Sequence, residues 1–389
     1  VDKYKAVRFQ AFCGTLETVF FVAFTLFVAQ NIIAERAFDW DAVFDRNSGW
    51  TGADGIYSIP LNEKERPDGW KHSATAFVFS DTFWGDVDAS GTRQAGTVMV
   101  NNTLGFLPAG AGAQASQAVF FKGGTASNPE AVFVPSTPNS ETDSFYWLKD
   151  GVRIGNRTHV FVSRMRKTPP PFHRYGVTLL TILDGDTPPF QNVIQRETPF
   201  WQEAASERGQ IAFGGAILNN TAEAGSPAAD GFIYVYGIQE DWLNKKAIVA
   251  RVPRDEFEVF SVWRFWNGSN WSSNMNDAAV IAERISTEMS VTPVRHDLFL
   301  MIFMLDTISG KVALRRSSTP VGPWSDFEVV YEAPPRSNPK VMYYHAKAHP
   351  HLSEPGSLLV SFNVNATNFW DHFTWADIYR PRFIRLRYE

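Results

Sequence analysis

Three carboxylates near the ends of short apolar strands are the residues best placed for chemistry. Asp54 sits in the stretch 50–61 (WTGADGIYSIPL), at the mouth of a short strand. Asp81 ends the apolar run 77–83 (FVFSDTF), and Glu288 heads the run 288–294 (EMSVTPV). Acidic groups gathered at one mouth suit glycoside hydrolysis. One acid must protonate the leaving oxygen, while a carboxylate attacks the anomeric carbon or activates a water. A neighbouring carboxylate raises the pKa of the proton donor, so one site can hold both forms near neutral pH. Asp54, Asp81 and Glu288 are therefore the candidate catalytic residues. Trp84, Trp147 and Tyr344 offer faces on which a sugar ring could stack. Gln210, His345, Lys347, Asn363 and Arg380 are the candidate polar contacts to a hydroxyl-rich or anionic substrate.

Each candidate also has a purely structural reading. Asp54 precedes Gly55, and Asp-Gly is a common turn dipeptide. Asp81 in Ser-Asp-Thr can cap a turn, and Glu288 can be a solvated strand end. His345, His349 and His351 would share a face of a strand, which makes a metal conceivable. The motif brings them no carboxylate partner, so hydrogen-bonded structural histidines are expected. There is no Gly-rich phosphate loop, no Gly-x-Ser-x-Gly elbow and no cysteine-based zinc spacing. Neither a metal nor a cofactor is expected.

Bringing these residues together requires a repeating architecture, and the sequence carries one. A strand with polar residues at its head is followed by a Gly-, Asp- or Asn-rich turn and then a strongly apolar strand. The pairs are 53–61 with 74–83, 144–148 with 158–165, 210–218 with 231–236, 288–294 with 298–305, and 345–352 with 357–364. Outer strands at 312–317 and 327–331 fill part of the space between them. The second strands recur every 60 to 80 residues or so, roughly the span of a four-stranded blade. The expected fold is all-β, a five-bladed β-propeller over residues 37–389, with a β-sandwich or two-domain β protein as the competing arrangement. In a propeller the first strands line a central channel, so their heads meet although they lie far apart in the chain. Residues 379–388 are expected to close the ring by completing the first unit.

The composition agrees with this class. Aromatic residues make up 14% of the 389, with 32 Phe and 13 Trp, which favours β structure and sugar-stacking surfaces. A formal net charge of -5 argues against nucleic-acid binding through a basic patch. One cysteine, Cys13, excludes an internal disulfide framework. Six Asn-x-Ser/Thr sequons are present, a number an Asn- and Thr-rich β protein generates by chance.

Ahead of the repeats, Lys3, Lys5 and Arg8 precede the apolar run 19–29 (VFFVAFTLFVA). A basic flank before a short apolar segment reads as an export signal, here within residues 1–36. A membrane anchor or an assembly helix through residues 10–33 is the alternative. The expected location is secreted or cell surface, and the oligomeric state is left open.

The stretches WTGADGIYSIPL, FVFSDTFWGDVD and MVNNT resemble the opening of secreted bacterial proteins carrying the domains of unknown function numbered 5005 and 4185. GPWSDFEVVYEAP, AKAHPHLSEPGSLLVSFNVN and ADIYRPRFIRL resemble their later segments and close, so the likeness runs from about Phe38 to the C-terminus. The resemblance implies a five-bladed propeller related in form to furanosidase and fructosyltransferase propellers. Part of the 4185 group is linked to endo-acting cleavage of D-arabinan, and there the paired Asp residues of the first blade are the suspected catalytic pair. They match Asp54 and Asp81. The longer insertion 62–73 between them places this chain nearer the 5005 type. The expected function is an exported glycoside hydrolase acting on an arabinan-like, furanoside-containing poly- or oligosaccharide. The alternative is a non-catalytic carbohydrate-binding or surface-structural propeller.

Overall fold

The computed structural model describes residues 32–167, 173–183, 188–190, 192–203, 209–241 and 244–388. The expected leader through residue 31 lies outside them. Residues 32–36, assigned to that leader from sequence, instead form the strand Ile32–Arg36. The chain then turns through the short helix Phe38–Val43. Asp39 and Asp41 occupy its first turn, where the backbone N–H groups favour negative charge, and Trp40 and Val43 face inward one turn apart.

The protein is mostly β. Five antiparallel sheets follow one another along the chain. The first carries Tyr57–Pro60, Thr75–Phe79, Thr103–Leu107 and Val119–Phe121, with an adjoining three-stranded part made of Ser48–Ala53, Thr82–Asp86 and Val98–Val100. The second is Phe145–Ile154, Arg157–Arg166, His173–Ile182 and Val193–Glu197. The third is built on Gln210–Asn220, Phe232–Asp241 and Asn244–Pro253, with short outer strands. The fourth is Met289–Arg295, Leu298–Met304, Lys311–Ser317 and Glu328–Glu332. The fifth is Val341–Ala348, Ser357–Ala366, Arg382–Tyr388 and, from the other end of the chain, Ile32–Arg36.

Two boundaries differ from the sequence expectation. The C-terminal strand completes the fifth sheet and not the first, pairing Ile384 with Arg36 and Val360. The first strand of the fifth sheet is Val341–Ala348, because Pro350 removes a ladder N–H and starts a 3-10 turn.

Successive sheets touch in cyclic order. Ser80 Oγ donates to Leu148 O at 3.0 Å, joining the first sheet to the second. Ile217 N donates to Asp150 Oδ2 at 2.6 Å, joining the second to the third. Tyr236 Oη donates to Pro320 O at 2.8 Å, and Ala348 N donates to Ser290 Oγ at 2.8 Å, carrying the series through the fourth sheet to the fifth. His349 Nδ1 and Ser58 Oγ, 2.7 Å apart, return it to the first.

The core lies between neighbouring sheets. Phe161, Phe213, Trp263 and Phe265 pack between the second and third, and Tyr236, Met301 and Phe303 between the third and fourth. Both faces of each middle strand are covered, so Leu298–Met304 (LFLMIFM) is buried along its whole length. That explains continuous apolar runs where a half-exposed strand would alternate.

The insertion 62–73 packs against loops of other sheets, and its Glu65, Arg66 and Pro67 line a cavity of about 250 Å³. Arg254 donates to both Glu63 oxygens, at 2.7 and 2.8 Å, and Gly155 N adds a third bond at 2.9 Å. Glu65 N donates to Ala224 O and Asp68 N to Ser353 O, so the segment ties down loops of the second, third and fifth sheets.

Candidate active site

The three inner strand paths of the first sheet are all interrupted at one level. The breaks fall at 54–56, 80–81 and 101–102, between the segments that form the sheet and its adjoining part. Across the break Ser80 N donates to Asp54 O at 2.9 Å and Asp54 N to Asp81 O at 3.2 Å. The backbone is thus satisfied while both carboxyls leave the ladder. Two glycines permit this. A Cβ on Gly52 would stand 2.6 Å from Tyr379 O, and Gly55 turns the chain at φ +62° with Ser80 packed against it. The WTGADG stretch is therefore a close-packed turn as well as the carrier of Asp54.

Asp54 and Asp81 open into a cavity of about 500 Å³, also lined by Trp147, Gln210, Glu288, Tyr344, His345 and Tyr379. Burial pushes the Asp54 carboxyl up to about 6, against the pull of the Tyr344 and Tyr379 hydroxyls and the Lys347 charge. Tyr344 Oη donates to Asp54 Oδ2 at 3.0 Å, and Asn365 Nδ2 donates in turn to Tyr344 Oη at 3.3 Å. Burial and then the adjacent Asp54 charge push Asp81 up to about 7. Its opposing partners are neutral: the Trp147 side chain and Asn101 Nδ2, the latter at 3.1 Å. The two carboxyls titrate as a pair. Near neutral pH the first proton to leave comes from Asp54, where two hydroxyls and a cation stabilise the anion. Asp81 keeps its proton longer.

Glu288 enters from the fourth sheet. Lys347 Nζ is paired with its Oε2, and His345 Nδ1 stands 3.2 Å from its Oε1. Lys347 is buried with its ammonium 3.5 Å from the centroid of the Tyr57 ring. Burial pulls both Lys347 and His345 down, His345 to about 3, so its imidazole is neutral. His345 has φ 55° and sits where the register slips between Tyr344 and Lys347, a bulge that turns its side chain into the cavity.

A similar bulge shapes another part of the wall. The register slips between Leu148 and Gly151, and Lys149 turns into the cavity there. Lys149 is 5% exposed, and its Nζ has no hydrogen-bond partner among the described residues. Beside it Arg174 Nη1 donates to Gln210 Oε1 at 2.6 Å and to Glu240 Oε1 at 2.8 Å, and Lys245 pairs with Glu240. Those two cations hold the Glu240 carboxylate down at about 2 despite its burial.

Of the residues singled out from sequence, Asp54, Asp81, Glu288, Trp147, Gln210, Tyr344 and His345 line this cavity. Lys347 lies behind it, under Glu288. Trp84 lies elsewhere, pairing across the strands with Trp50 and packing over Gly49. Arg380 is a structural anchor: it pairs with Asp45 and donates to Thr51 O at 3.2 Å. Asn363 is buried opposite Tyr344 on the neighbouring strand and is not among the lining residues. His349 and His351 part from His345. His349 bonds Ser58 and Ser361, and His351 is buried 3.6 Å from Glu65. Sequence reasoning missed Asn101, Lys149, Arg174, Glu240, Lys245, Asn365 and Tyr379. Asn101 carried a readable signal, since it ends the third strand of the unit whose first two strands deliver Asp54 and Asp81.

Residues 38–388 match the family model described as Domain of unknown function (DUF5005). No curated relative matches the sequence. Among solved structures, a candidate hydrolase from Bacteroides ovatus ATCC 8483 aligns with TM-score 0.70 at 21% identity, covering 91% of this chain and 90% of that one. At that identity the likeness shows a shared fold. A GH43_1 enzyme from Xanthomonas citri complexed with xylose aligns with TM-score 0.45 at 10% identity, covering 91% and 93%. An α-L-arabinofuranosidase from Podospora anserina in complex with cellotriose aligns with TM-score 0.45 at 10% identity, covering 87% and 92%.

Proposed function

The chain belongs to the DUF5005 family, and we propose that it is a glycoside hydrolase working through the Asp54–Asp81 pair. One observation carries this reading. Two buried carboxyls lie at the same break in adjacent strands, and their surroundings raise both proton affinities toward neutrality, Asp81 to about 7 and Asp54 to about 6. That is the division of labour glycoside cleavage needs. Asp54, ionised, attacks the anomeric carbon or takes a proton from the attacking water. Asp81, protonated, gives its proton to the departing glycosidic oxygen. Trp147, Tyr344 and Tyr379 supply flat faces and hydroxyls for a sugar in a cavity large enough for one or two rings. Glu288, tied to Lys347 and beside His345, acts as a third charge that sets the field. It suits proton donation less than Asp81, whose hydrogen-bond partners are neutral.

We read the five sheets as blades of a five-bladed propeller with the cavity at one mouth of its channel. The substrate class we favour is a furanoside-containing, arabinan-like polysaccharide met outside the cytoplasm. The basic-then-apolar leader motivates secretion or surface display. The test is a panel of arabinans, fructans and galactofuranans, each neutral and acid-substituted, with product analysis, comparing wild type with Asp54→Asn. The proposal expects defined oligosaccharides from the wild type and far less from the variant. No product from any substrate, or equal release by the variant, overturns it.

A further inference from the structure

The basic part of the cavity wall has no role in the cleavage step assigned to the carboxyl pair. Lys149, Arg174 and Lys245 present three cationic side chains there, and Glu240 is the one carboxylate bonded among them. Arg174 and Lys245 are bonded to Glu240, while Lys149 feels that shared charge only at longer range and its Nζ has no hydrogen-bond partner among the described residues. Burying an amine unpaired is costly, and a well-packed apolar residue would avoid that cost. The bulge that turns Lys149 inward also presents Asp150 to Ile217 N of the third sheet, a structural role that asks nothing of a lysine at position 149. A buried lysine there makes sense if the missing partner arrives with the ligand.

We infer that the sugar bound in this cavity carries an anionic substituent, a carboxylate or sulfate ester, seated against Lys149 with Arg174 and Lys245 behind it. The inference rests on the glycoside-hydrolase reading of the same cavity and adds to it the substrate's charge. The acidic group lies on the sugar being cleaved or on its neighbour in the chain, in the same cavity as Asp54 and Asp81. Burial holds the Lys149 ammonium down at about 7, so an arriving anion would restore the charge that desolvation removes. A uronate and a sulfated sugar share this chemistry, and the test separates them.

Binding is measured by calorimetry on the full chain carrying Asp54→Asn, so that no substrate turns over. The probes are α-1,5-arabinotriose, the same trisaccharide oxidised at its terminal C5 to the uronate, and its terminal 5-sulfate. At least one acidic probe should bind about tenfold or more tighter than the neutral one, the value of one charge-assisted hydrogen bond. The preferred acidic probe identifies the substituent. The preference should shrink as salt rises, a readout that needs no second substitution, and it should vanish with Lys149→Met. Equal binding of acidic and neutral probes, no binding of either, or a preference that survives Lys149→Met overturns the inference. The two readings fail separately. Hydrolysis without acid preference keeps the hydrolase and removes this inference, while acid-selective binding without hydrolysis does the reverse.

Discussion

Replacing Asp54 with Asn should cut activity by orders of magnitude and at the same time stabilise the fold at neutral pH. The carboxyl is buried, and its pKa of about 6 stands against an ordinary value of 3.8. At about 1.4 kcal/mol per pKa unit, ionising it costs the folded state on the order of 3 kcal/mol. The sign follows from proton binding. Between pH 4 and pH 6 or so the folded state holds a proton that the unfolded chain has released, so stability falls as pH rises through that window. Below it the cost is absent, and above it the cost is complete. Asn is neutral and of similar shape, and in its presence Asp81 also loses the neighbouring charge that raises its own pKa. We expect Asp54→Asn to gain about 1–3 kcal/mol at pH 7.5 and to differ little from wild type at pH 4, read from urea denaturation at both pH values. Hydrolysis should fall by about 100- to 10,000-fold. A variant no more stable than wild type at pH 7.5, or one with the same difference at both pH values, refutes the picture of a buried, ionisable Asp54.

Three further substitutions probe the surroundings of the pair. Tyr344→Phe removes the hydroxyl 3.0 Å from Asp54, so the acidic limb of the kcat/KM–pH profile should move up by about one pH unit. Asn101→Ala removes an N–H that favours ionised Asp81, so the alkaline limb should move up instead, leaving the acidic limb in place. Lys347→Met leaves Glu288 buried without its cation and should cost about 3–5 kcal/mol in urea denaturation. Adding Glu288→Gln to it should recover most of that loss, and a double variant as unstable as the single one would remove the pairing from the account.

The strand pairs were legible because burial on both faces leaves a strong mark. A run such as LFLMIFM has no other reading in a chain so rich in turns. The convergence of Asp54, Asp81, Trp147, Gln210, Glu288, Tyr344 and His345 on one cavity follows from their place at the heads or ends of those strands. What stayed hidden arises from departures from regular structure. Lys149 faces the cavity only because two residues bulge out of the ladder, and Lys-Asp-Gly reads equally well as a plain turn. Tyr379 reaches Asp54 from a non-strand segment at φ 75°, a conformation with no sequence mark in a tyrosine. Arg174, Glu240 and Lys245 form one cluster across two sheets, and nothing local joins residues 66 positions apart. Trp84 and Arg380 misled for the opposite reason. Both residue types suit sugar binding, yet packing over Gly49 and anchoring at Asp45 account for them here.

The central claim is that two adjacent carboxyls share the work because their environments hold their protons differently. The most direct measurement is a pH titration of the aspartate side-chain carboxyl carbons by NMR, on labelled wild type, Asp54→Asn and Asp81→Asn. The account predicts three aspartate carboxyls titrating between about pH 6 and pH 7 in the wild type, the pair and the separately buried Asp150, with Asp54 and Asp81 identified by the signal each variant loses. In Asp54→Asn the Asp81 carboxyl should titrate lower, because the neighbouring charge is gone. Asp54 and Asp81 both titrating near the ordinary carboxylate value of 3.8, or Asp81 unchanged when Asp54 is neutral, would contradict it.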